Sequence, residues 1–215
     1  MGTRALEIAI PIFDQLTALD AVGPYEVLSR LPEATVHFLA ATPGPKRTEN
    51  EMLALTADQA LEDLTEPDVV VVPGGMGTRS LLDDEAMLDW LRHAHEHSRW
   101  TTSVCTGSLL LGAAGILDGL AATTHWLELE TLGRYGAVPV ERRVVVQGKV
   151  ITAAGVSSGI DMALTLAGLI GGDDIAQAIQ LGIEYDPEPP YRSGSVAKAP
   201  PEIIELVRRR RDRLA

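Results

Sequence analysis

"RWTTSVCTGSLLLGAAGIL", residues 99–117, changes its pattern in the middle. Arg99 to Cys105 is a run of β-branched and apolar residues, the composition of a strand covered on both faces. From Thr106 onward the apolar residues recur at helical spacing. A strand that turns at once into a helix is half of a βαβ unit, and the same rhythm runs outward in both directions. "LEIAIPIF" (Leu6 to Phe13), "TVHFLAAT" (Thr35 to Thr42) and "DVVVVPGG" (Asp68 to Gly75) read as strands. "ALDAVGPYEVLSRL" and "SLLDDEAMLDWLRHAHEHS" read as the helices between them. This alternation predicts an α/β fold, a mainly parallel sheet with helices on both sides.

"ERRVVVQGKVITAAG" (Glu141 to Gly155) is different, with two alternating runs joined at Gln147-Gly148. It predicts an antiparallel β-hairpin added at one edge. "YDPEPPYRSGSVAKAP" is rich in Pro, Gly and Ser, so residues 185–200 are expected to be extended. A C-terminal helix is expected over 201–214, its basic last turns suiting its own dipole. The length, 215 residues, favours a single domain over 1–215. No internal repeat or low-complexity tract interrupts it.

A net charge of −12 repels phosphates, which argues against nucleic acid or an anionic membrane as partner and suits a small, weakly polar ligand. One cysteine makes no internal disulfide, so nothing requires an oxidising compartment. The apolar start is too short for a membrane span and lacks a secretory cleavage site. "VSSGIDMALTLAGLIGG" is broken by Ser, Gly and Asp. The cytoplasm is the expected location.

In open α/β sheets, ligands sit outside the carboxyl ends of the strands. Cys105 falls at such an end, with Thr106-Gly107-Ser108 opening a helix. Cys105 is either an inert core thiol or a nucleophile, and the strand-turn-helix context favours the nucleophile. A helix N-terminus there would lower the thiol pKa from about 8.5 toward about 3.5–7.5. Pro73-Gly74-Gly75 ends another strand, and its small residues let backbone N–H groups approach a ligand. Asp14 reads as an N-cap or a loop acid. Asp20, set among Leu19, Ala21 and Val22, reads as a carboxyl with a raised pKa, able to donate a proton. His125, after a further apolar run, reads equally as a site residue or a satisfied core histidine.

Other patterns fail on inspection. "HAHEH" has His93 and His97 four apart, but it is not the HExxH zinc pattern and no third ligand cluster follows, so it reads as a solvated helix face. "GGMGTRS" departs from a dinucleotide loop at Ser80, and the lysine of a phosphate-binding loop is missing. "RRRRDR" reads as a solvated helix end.

Taken together, "IPIFDQLTALDAVGPYEVL", "DVVVVPGGMGT", "SVCTGSLLLGAAGILDGLAATTHW", "ITAAGVSSGIDMALTLA" and "IEYDPEPPYRSGS" resemble the DJ-1/PfpI superfamily. "CTGS", "TTHW" and "YDPEPPY" are similar to the branch holding isocyanide hydratases and the ligand-binding domains of AraC-type regulators. The regulators add a helix-turn-helix portion, which is not expected here, since the 15 residues after the Pro-rich segment leave no room for one. The resemblance implies a flavodoxin-like three-layer α/β/α sandwich, a homodimer, and a cysteine nucleophile on a strained turn. It carries the nucleophile to Cys105, the acid to Asp20 and a positioning role to Thr106. It also implies that the N–H groups of Gly75 and Thr106, beside Gly74, face the developing charge. Ala153-Ala154-Gly155 stands where related hydratases have a glycine-rich run. Proteases of the superfamily have His after the nucleophile, here Thr106, and amidotransferases need a downstream His-x-Glu pair, whereas no histidine follows His125.

The expected activity is hydration of an isocyanide to an N-substituted formamide through a cysteine thioimidate, with no metal and no cofactor. Two rivals use the same cysteine. One is a non-enzymatic small-molecule binding or redox-sensing protein; the other is a glyoxalase or deglycase-type enzyme that leans on His125 as a base.

Overall fold

The computed structural model describes residues 5–211. They divide into two compact units, the first ending at Ile183 and the second beginning at Glu184. The larger contains, in order, β1 (Leu6–Pro11), α1 (Ala18–Leu28), β2 (Ala34–Ala40), β3 (Gly44–Arg47), β4 (Ala54–Ala57), β5 (Gln59–Ala60), β6 (Val69–Val72), α2 (Thr78–Leu81) and α3 (Glu85–His97). It continues with β7 (Trp100–Val104), α4 (Gly107–Ala113), β8 (Ala121–Ala122), α5 (Leu129–Arg134), β9 (Val138–Pro139), β10 (Val144–Gln147), β11 (Val150–Ala153), α6 (Ser158–Gly171) and α7 (Asp173–Gly182).

Seven strands form one sheet in the order β10-β11-β7-β6-β1-β2-β5. Every pairing in it is parallel except β10 with β11. Helices cover both faces, which makes the fold a flavodoxin-like α/β sandwich with an added hairpin. Val69 to Val72 are fully buried, as a strand closed in on both sides must be. The order places β1, β6 and β7 side by side, so the loops after their carboxyl ends meet above the middle of the sheet. Cys105, Gly74 and the start of α1 all lie on those loops.

Three local readings are corrected. The helical run read over 80–98 is two helices: the Asp84 side chain accepts the Met87 N–H at 3.1 Å and so caps a new start. The hairpin pairs Gln147 with Val150, so its two turn residues are Gly148 and Lys149, with Gly148 at φ +59°. The β3–β4 hairpin and the short β8–β9 pair join as separate two-stranded sheets that periodicity did not mark.

In the smaller unit, residues 184–200 form neither helix nor strand, and α8 spans Pro201–Arg211. The expected continuation of that helix over 212–214 lies outside the described residues. Among the described residues, no helix is long and apolar enough to cross a membrane.

Candidate active site

The chain between β7 and α4 turns within Cys105 and Thr106. Cys105 adopts φ +56°, a left-handed conformation costing a non-glycine residue about 1–2 kcal/mol. Its N–H is shared between the Ala153 and Ala154 carbonyls, both at 3.1 Å, and its carbonyl accepts the Thr124 hydroxyl at 2.9 Å and the Ser108 hydroxyl at 3.1 Å. Four hydrogen bonds from three neighbouring segments therefore hold the strain in place.

Asp20 lies in the first turn of α1 and is fully buried. It does not cap that helix. Oδ2 accepts the Gly74 N–H at 3.0 Å, while the Gly74 carbonyl accepts the Thr17 N–H at 2.9 Å. This two-point clasp fixes the head of α1 against the loop after β6. Oδ1 is buried and accepts no hydrogen bond from an N–H or O–H group among the described residues. Burial pushes the Asp20 pKa up from 3.8 to about 7, against the lowering pull of the Gly74 N–H and the Cys105 thiol, and the charge of Glu49 adds to the rise. The reading of Asp20 as a carboxyl with raised pKa thus has its physical cause.

The thiol does not follow the expected direction. Burial, and then the Asp20 charge, push the Cys105 pKa well above its ordinary value, while the N–H groups of Thr106 and Val156 act against them. The helix N-terminus offers a favourable dipole, but Cys105 is 5% exposed and desolvation dominates.

Gly74 is required by close packing: a Cβ there would fall 2.6 Å from the Thr106 nitrogen, 2.7 Å from its hydroxyl and 2.8 Å from Asp20 Oδ2. The Gly75 N–H donates to the Thr106 hydroxyl at 2.9 Å. It is thereby committed, and the N–H groups that meet the Cys105 sulfur are those of Thr106 and Val156. Val156 escaped sequence reasoning because only its backbone acts, although its φ of +23° is exceptional for a β-branched residue. His125 packs on the backbone beside it, since a Cβ on Gly155 would fall 2.5 Å from His125 Cδ2. Its Nδ1 accepts the Leu127 N–H at 3.4 Å and its ring lies 5.8 Å from that of Trp126.

The pair Arg79 and Glu128, 2.6 Å apart with Glu128 buried, ties the chain after the glycine pair to the segment after His125. No pattern in the sequence marked it. Asp14 accepts the Arg47 N–H at 2.9 Å in an exposed loop, as a loop acid should. The "HAHEH" run is corrected in one respect: Glu66 supplies a third potential ligand beside His93 and His97. It comes from upstream in the chain, where spacing along the helix could not point to it.

The model of the DJ-1/PfpI family matches residues 6–168. Over 206 residues, 96% of this chain and 90% of the relative, the chain is 45% identical to an isonitrile hydratase of Pseudomonas putida. It is 30% identical over 173 residues to the HTH-type transcriptional regulator CdhR of Pseudomonas aeruginosa, covering 51% of that protein. Among solved structures, a ThiJ/PfpI family protein from Pseudomonas syringae superimposes with a TM-score of 0.91 at 34% identity, covering 95% of this chain and 87% of the other.

Proposed function

The chain belongs to the DJ-1/PfpI family, and on that footing we propose that it is an isocyanide hydratase, adding water to an organic isocyanide to give an N-substituted formamide. The observation that carries this reading is the 45% identity to an isonitrile hydratase over nearly the whole of both chains. The buried carboxyl set beside the one cysteine supports it chemically.

The terminal isocyanide carbon is divalent and carries a lone pair, so it is only weakly electrophilic, and attack on it needs a strong, soft nucleophile together with a proton donor. Burial keeps the resting Cys105 a thiol, so the nucleophile forms at the moment of attack. The thiol proton passes to Asp20, whose pKa near 7 suits both taking and returning a proton. Sulfur bonds to the carbon, and Asp20 returns the proton to that same carbon, leaving a thioimidate, R–N=CH–S–Cys105. Asp20, again a carboxylate, takes a proton from water as the water oxygen adds to the carbon, and passes it to nitrogen. Collapse breaks the C–S bond, the hydroxyl proton returns to sulfur, and R–NH–CHO departs. The N–H groups of Thr106 and Val156 steady the charge on sulfur during attack and departure. Leu19, Val22 and Trp126, none of them fully buried, are assigned to the substituent R. The steps require no metal and no cofactor.

Cys105 is 5% exposed, which weighs against the redox-sensing alternative, since oxidation selects an accessible cysteine. Work as a homodimer in the reducing cytoplasm belongs to the same proposal. The test is an assay of para-nitrophenyl isocyanide with formamide as the product. Turnover by the wild type, lost in Cys105→Ala, is expected. An inert wild type would overturn the reading, and a variant with appreciable turnover would remove Cys105 as nucleophile.

A further inference from the structure

Three side chains outside the Cys105 site converge on one exposed spot. His93 and His97 stand a turn apart on α3, with ring centroids 4.4 Å apart. Glu66 Oε1 lies 3.7 Å from His93 Nε2 and 3.8 Å from His97 Nε2. These distances are within ion-pair range but too long for hydrogen bonds, so the carboxylate faces both imidazoles without a hydrogen bond to either.

The tautomer of His97 is set from behind. Its Nδ1 bonds the His93 carbonyl at 2.9 Å, and since a carbonyl only accepts, Nδ1 carries the proton. The neutral ring then presents its lone pair at Nε2, on the Glu66 side. Such an outer hydrogen bond is what orients histidines that ligate metals. His95, between the two, turns away and bonds Thr101 Oγ1 at 2.8 Å.

The backbone beneath is pinned on both sides of Glu66. Trp90, buried on α3, donates its Nε1–H to the Leu64 carbonyl at 3.2 Å. The Asp68 carbonyl accepts the N–H groups of Arg99 at 2.8 Å and Trp100 at 3.1 Å. The loop carrying Glu66 is therefore fixed to the helix carrying both imidazoles.

We propose that Glu66, His93 and His97 form a surface site for one divalent transition-metal ion of the zinc class, its remaining position open to water. Two imidazole nitrogens and one carboxylate oxygen are a donor set such ions accept at about 2.0–2.2 Å. The ligand atoms lie within 4.8 Å of one another, against about 3.3 Å between donors sharing a tetrahedral ion. The side chains are 60% (Glu66), 45% (His93) and 41% (His97) exposed, so small χ rotations close the difference. The net charge of −12 favours cation capture. The bound ion would staple α3 to the loop before β6, at the opposite end of that strand from Gly74.

The test is calorimetric titration of the untagged, full-length protein with zinc chloride. The wild type is expected to take up one equivalent. His93→Ala and His97→Ala should each weaken uptake by more than about 10-fold, and Glu66→Gln by about 10-fold. Adding Cys105→Ala should leave uptake unchanged. No saturable uptake by the wild type, or full uptake in the His93→Ala, His97→Ala double variant, would overturn the site.

Discussion

The Thr106 hydroxyl grips Gly75 from both sides, accepting its N–H at 2.9 Å and donating to its carbonyl at 3.1 Å. Thr106→Val keeps the shape and removes both bonds, leaving the buried Gly75 N–H unpaired. We expect a loss of stability of about 1–3 kcal/mol in denaturant titrations, with a lower kcat. Thr106→Ser should restore most of both; a silent Thr106→Val would show that the grip is dispensable.

Asp20 couples the site to pH. Its pKa is higher in the folded chain than the ordinary 3.8, so the folded state binds more protons between about pH 4 and about pH 7. Stability from this group is full at the low end, falls as pH rises through that window, and levels off above about 7. Asp20→Asn should abolish that slope and gain up to about 4 kcal/mol on the plateau. In the isocyanide assay the same variant should be slower by about 100-fold or more. A slope that survives the substitution would place the titration elsewhere.

Cys105 carries backbone strain that its side chain does not relieve. Cys105→Ala should be inactive and folded, and Cys105→Gly, inactive too, should be more stable than the alanine variant by about 1 kcal/mol. Thermal melts of the two variants measure this; equal stability would mean the turn relaxes on substitution.

His125 separates the hydratase from the carbonyl-chemistry rival. Its Nδ1 accepts the Leu127 N–H at 3.4 Å, so that nitrogen is engaged with the backbone and is not available as a base. His125→Ala should retain isocyanide turnover within about 10-fold. A far larger loss, or methylglyoxal turnover by the wild type, would favour a histidine-based mechanism.

Much of this protein was legible in one dimension because strand and helix periods are local properties of the chain. The fully apolar β6, the strand-to-helix change at Cys105 and the alternation of β10 and β11 were enough to call for a parallel sheet with an edge hairpin, and the strand ends directed attention to Cys105, Gly74 and Asp20. The helix break at Asp84 does not show in the pattern because the apolar spacing runs across it, while one side-chain cap starts the second helix.

What only the tertiary structure decided depends on burial and on the direction of backbone groups, neither of which residue identity encodes. Desolvation reverses the expected shift of the Cys105 thiol. The Thr106 hydroxyl occupies the Gly75 N–H, and a strained turn brings the Val156 N–H to the sulfur. Glu66 meets His93 and His97 only because the loop before β6 is pinned to α3. Periodic patterning by itself fixes which face of an element is covered; the contacts that tune a proton or gather three ligands arise only when distant segments are packed together.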